Sequence, residues 1–78
     1  MTEPRIQIVG FATIPDVGTG LVVVAEEADG ASINQTQAGK FGPRDVEISI
    51  NDVDRWPWDT AVAIATALVG ASRGEGAK

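Results

Sequence analysis

Cysteine, histidine and tyrosine are all missing from this 78-residue chain. Without cysteine, neither a disulfide nor a thiolate metal site can reinforce the fold. Without histidine, the commonest general base and the commonest metal ligand are gone. Basic residues are few: six Lys and Arg stand against eleven Asp and Glu, for a net charge of -5. Arg5, Lys40, Arg44, Arg55, Arg73 and Lys78 are scattered, with no run that could follow a phosphate backbone, so direct nucleic-acid binding is not expected. Long apolar runs are scarce too. The uncharged segment 60–72 falls short of the about 20 residues that cross a bilayer. The opening Met-Thr-Glu-Pro-Arg lacks the basic and apolar blocks of a secretory signal. A cytoplasmic protein without membrane association is the expectation.

A chain this short lies near the lower limit at which a hydrophobic core stabilises a fold alone. Residues 1–78 therefore read as one small domain, with flexible ends at 1–4 and 73–78. Domains of this size that lack disulfides and metals commonly gain stability by association.

What is present is organised around Trp56-Pro57-Trp58-Asp59 and the uncharged run behind it. Proline suits the first helical position, so a C-terminal helix is expected to start at Pro57. Asp59 then complements the N-terminal dipole, Arg73 has the favourable sign at the far end, and Gly74 offers a stop. At roughly 100° per residue, Trp58, Ala61, Val62, Ile64, Ala65, Leu68 and Val69 share one apolar arc. The opposite arc holds Asp59, Thr60, Ala63, Thr66, Ala67, Gly70 and Ala71. It is small rather than charged, which is unusual for a solvated helix face. Small residues four apart permit close approach of another backbone, so Ala63, Ala67, Gly70 and Ala71 are candidate interface positions. The plainer reading is an alanine-rich helix selected for propensity. Trp58 is expected to anchor the core and Trp56 to sit at the rim of a groove as a candidate interface residue, since tryptophan is enriched at binding hot spots. The plainer reading is that both rings close the mouth of a small core.

Upstream, the chain reads as short strands. Residues 5–14 (RIQIVGFATI) are β-branched and aromatic, with Ile6, Ile8, Gly10, Ala12 and Ile14 on one face. Val9 and Phe11 fall on the other face with Arg5, Gln7 and Thr13, and are candidate interface residues because a single helix cannot cover both sides. Residues 15–20 form a turn cluster, and 21–26 (LVVVAE) complete a hairpin. Asp29-Gly30 marks a second turn. Residues 31–37 (ASINQTQ), polar on both sides, suit a sheet edge, and 38–43 form a loop. Residues 44–51 alternate cleanly, with Val46, Ile48 and Ile50 facing the helix.

Chemistry is sparse. Gly18-Thr19-Gly20 precedes a strand rather than a helix, so no phosphate loop is expected and the glycines read as turn residues. Asp45, Glu47, Asp52 and Asp54 could in principle hold a hard cation or mimic nucleic acid, but their spacing matches no cation loop and Arg44 and Arg55 are interleaved. A Ser-Lys pair would need Lys40 beside Ser32 or Ser49. No cofactor, metal or catalytic residue is expected.

The fold expected is α+β: a small antiparallel sheet of three to four strands with one C-terminal helix on one face. The function expected is that of a small acidic protein-interaction module, homo-oligomeric, acting as inhibitor or adaptor of a larger protein. Its partners would be itself and that larger protein. Phage and plasmid modulators of host machinery are similar in size and composition only. A structural subunit of a larger assembly such as a virion, and a small-ligand binder beside Trp56, are the alternatives.

Overall fold

The computed structural model describes residues 4–76, with side chains through Ser72. Four strands, β1 (Ile6–Ile14), β2 (Gly18–Glu27), β3 (Gly30–Gln37) and β4 (Arg44–Ile48), form one antiparallel sheet in the order β1-β2-β3-β4. One helix, α1 (Trp58–Gly76), packs on one face, as the α+β reading anticipates. Of the ends expected to be flexible, 1–3 and 77–78 lie outside the described residues, while the backbone of 73–76 belongs to α1. Glycine permits a stop without imposing one, and Gly74 lies inside the helix. The expectation for the Arg73 side chain lies outside the described residues.

Local chemistry sets the turns. Pro15 and Asp16 take the corner between β1 and β2, where Val17 N–H donates to the Ile14 carbonyl at 3.0 Å. Asp16 adopts φ 65°, a conformation that Asp tolerates better than most side chains. Beyond β4, Ile50 and Val53 exchange backbone hydrogen bonds of 2.9 and 3.0 Å. Asn51 and Asp52 occupy the tip at φ 54° and 64°, the pair of positive angles that a tight two-residue hairpin needs. The alternating segment 44–51 is therefore a strand to Ile48 followed by this second, smaller hairpin.

The helix starts one residue later than expected, with Pro57 as its cap: the Pro57 carbonyl accepts from Ala61 N–H at 2.9 Å. Ala61, Ala65 and Val69 are buried against Ala12, Val22, Val24, Ala31, Ile33 and Ile48. Trp58, Val62 and Ile64 pack around that centre. The helix lies over β1, with β2 and β3 beside it. It does not extend over β4, although Ile48 is buried in the shared core and Ile50 packs against it, on the helix side as expected. Small residues dominate its buried stripe, so it sits close to the strands beneath it.

β3 corrects a second expectation. It is an inner strand, between β2 and β4, and not an edge. Its polar side chains are buried because they have partners there. Gln35 donates to the Ala12 and Gly18 carbonyls, and Gln37 donates to the Val17 carbonyl and to Gln35 Oε1. A buried amide with its hydrogen bonds made costs little, whereas polarity at the surface needs no such pairing. Gly18 and Gly20 belong to β2 rather than to the turn, and they make room for these glutamines. A Cβ on Gly18 would meet Gln37 Nε2 at 2.9 Å, and one on Gly20 would meet the Thr36 carbonyl oxygen at 2.3 Å.

Candidate interaction surface

An irregularity in β1 determines which residues face outward. Ile8 pairs with Val23 and Gly10 with Val22, leaving Val9 as an extra residue, a β-bulge. Paired residues of antiparallel strands share a face. Val22 and Val24 are buried beneath α1, so Val23 and Ala25, and with them Ile8 and Ile6, face the other way. After the bulge, Phe11 pairs with Leu21 and joins the same outer face, while Ala12 turns inward to the core. Strict alternation placed Ile6 and Ile8 inside and Val9 outside. The bulge reverses this: Val9 packs against the core, and Ile6 and Ile8 are out.

Ile6, Ile8 and Phe11 are 68%, 66% and 68% exposed. Behind them on β2 lie the half-buried Ala25, Val23 and Leu21. Following the pairings across the sheet, the Ile8 row continues through Val23 and Asn34 to Glu47. The Phe11 row continues through Leu21 and Thr36 to Asp45. The outer face thus grades from apolar at β1, through polar at β3, to acidic at β4. Thr13 and Thr19 close the apolar half at one end, their Oγ1 atoms 2.9 Å apart.

The acids on the far side are engaged. Thr36 donates to Asp45 at 2.6 Å. Arg55 binds Glu47, reaches Asp29 at 3.1 Å and lies 4.0 Å from Asp54. The hydrogen bond to Glu47 is the main reason that its guanidinium is held above its usual pKa. Among the described residues no group of acids is placed to hold a metal ion. Ser32 bonds Glu27 and Asn34, and Lys40 stands over the Phe41 ring in the β3–β4 loop. The Ser-Lys pairing is therefore not formed at Ser32, and Ser49 lies at the opposite end of β4 from Lys40.

The other candidate positions are not gathered with these. Ala63, Ala67, Gly70 and Ala71 are exposed, with open space around Gly70, but they line the side of α1 that faces away from the sheet. That ridge and the outer sheet face lie on opposite sides of the molecule. Trp56 is half-buried against the core and tied to β3 through paired backbone bonds with Ala31 of 2.7 and 3.0 Å. Trp58 is also half-buried, with the Arg5 guanidinium 4.4 Å from its ring centre, rather than enclosed in the core. Sequence reasoning missed Phe41, which stands 97% exposed at the tip of the β3–β4 loop. The Gly-Lys-Phe-Gly sequence carried that signal, a turn that presents its two middle side chains outward.

Among the described residues no helix is long and apolar enough to cross a membrane. Comparison of the chain with family models, with curated proteins and with solved structures gave no match in any of the three.

Proposed function

We propose that this protein is a small cytoplasmic interaction module that self-associates through β1, and serves as an adaptor or inhibitor of a larger protein. The observation that carries this reading is the row Ile6, Ile8 and Phe11, each about two-thirds exposed and backed by Ala25, Val23 and Leu21. Contiguous apolar surface beyond a few hundred Å² is rare on monomers and marks contact sites. Burying it returns roughly 25 cal/mol per Å². The acidic side of the same face, where Thr36 holds Asp45 and Arg55 holds Glu47, is the surface offered to a second partner.

Sedimentation and light scattering across a dilution series test it. The expected result is a reversible oligomer whose dissociation constant rises at least tenfold in Ile8→Glu and in Phe11→Glu. Ala67→Glu, on the far side of the molecule, should leave the mass unchanged. A wild-type chain that stays monomeric at high concentration rejects self-association. Dissociation by Ala67→Glu alone would move the contact to the helix ridge.

A further inference from the structure

We propose that two copies of this chain join edge to edge through β1, antiparallel over residues 6–11, so that their sheets run on as one. The proposal rests on the self-association just described and specifies its geometry.

The two edges of the sheet differ. β4 is five residues long and carries Arg44, Asp45 and Glu47, the charged and short design that keeps edges from pairing. β1 is nine residues long and has no charged residue between Ile6 and Ile14. Its backbone is also available. Thr13 N–H points off the sheet, where it donates to Ser72 Oγ at 2.8 Å. Backbone groups of an edge strand alternate between the partner strand and the open side. By that alternation, Phe11 presents its N–H and C=O to the open side as Thr13 does. On the other side of the bulge, the Arg5 carbonyl accepts from Glu26 N–H at 2.8 Å, so Arg5 bonds inward and Ile6 and Ile8 face the open side. Ser72 covers the edge at Thr13, and among the described residues no side chain bonds the backbone of 6–11.

The same three residues, Ile6, Ile8 and Phe11, therefore offer both their side chains on the outer face and their backbone at the edge. A strand that pairs here gains main-chain hydrogen bonds and lateral apolar contact together.

Charge selects a second copy placed in this way. Each chain carries -5, so copies repel unless their acids stay apart. With strands about 4.8 Å apart, joining two β1 edges holds the β4 acids of the two chains roughly 34 Å from each other. That is several Debye lengths at physiological salt, where one length is about 8 Å. Stacking the two outer faces at about 10 Å would bring the acidic rows far closer.

Amide hydrogen exchange on the uniformly ¹⁵N-labelled protein, read residue by residue at low and high concentration, tests the geometry. The expected result is at least tenfold slower exchange at Ile6, Ile8 and Phe11 in the concentrated sample, with Gln7 unchanged because it already faces β2. Ile8→Pro removes an N–H that no intramolecular strand uses, and should give a folded monomer; Ile8→Val should still associate. If the oligomer forms but these three amides exchange alike at both concentrations, edge pairing is wrong and self-association stands. If no oligomer forms, both fall. Should Ile8→Pro fail to fold, the exchange result on the unmodified protein decides alone.

Discussion

Gln35 of β3 reaches past β2 to β1: its Nε2 donates to the Ala12 carbonyl at 3.1 Å, and also to the Gly18 carbonyl at 3.1 Å. Gly20 lies beside this path, and its missing side chain makes the path possible. One buried amide thus ties three strands together at the end of the sheet nearest the first turn.

Two substitutions test that tie. Gly20→Ala would press a Cβ to 2.3 Å from the Thr36 carbonyl oxygen, a backbone atom with little freedom to move. Overpacking of this kind costs about 1–3 kcal/mol. Gln35→Leu keeps the bulk but removes the donor to two carbonyls and takes Oε1 from Gln37 Nε2. Unsatisfied buried polar groups cost about 1–3 kcal/mol each. Urea denaturation should show both variants losing stability by amounts in that range. A neutral Gln35→Leu would mean that the network contributes nothing.

The helix and its two arcs were legible from residue spacing. Every member of the apolar arc is buried or half-buried, and every member of the small arc is exposed. The strands were legible too, because β-branched runs and the Pro-Asp and Asp-Gly corners are local signals, although 44–51 ends as a strand at Ile48 and turns at Asn51-Asp52. Three features were not, each because it depends on a partner distant in sequence. β3 reads as an edge until Gln35 finds carbonyls on β1 and β2, and Gln37 one in the turn between them. Gly18 and Gly20 read as turn residues until those glutamines need the space. The face of Ile6 and Ile8 depends on one extra residue at Val9, and a period-two pattern cannot reveal a bulge by itself. The surplus apolar surface was anticipated on the right strand and assigned to the wrong side of its first half.

Glu26 provides a pH-dependent contribution. Its carboxylate accepts from the Arg5 side chain at 2.9 Å and from the Arg5 backbone N–H at 3.3 Å, and these bonds hold its pKa below the ordinary glutamate value. A depressed folded-state pKa gives stability that is present above the unfolded value, about 4.3, and is lost as pH falls through the folded one. The pair is exposed, so the effect is small and weakens with salt. Side-chain ¹³C titration should place the Glu26 midpoint below that of an ordinary glutamate. Arg5→Gln should move it up, and so should high salt. An ordinary midpoint in the unmodified protein would reject the pair in solution.

The bulge itself is held from behind by α1. Gly10 follows Val9 at φ 152°, and a Cβ built there would stand 3.2 Å from Val69 Cγ1. Gly10→Ala therefore meets two obstacles, a backbone angle that L-residues rarely adopt and a buried side chain that must give way. Stability should fall by about 1–3 kcal/mol. Val69→Ala removes the second obstacle while leaving a cavity of its own in the core. The double variant should then lose less than the two single losses added together, by about 0.5 kcal/mol or more, as coupled neighbours do. Urea melts of all four proteins supply the cycle. Strict additivity would mean that the helix does not press on the bulge, and that backbone geometry alone sets the face on which Ile6 and Ile8 emerge.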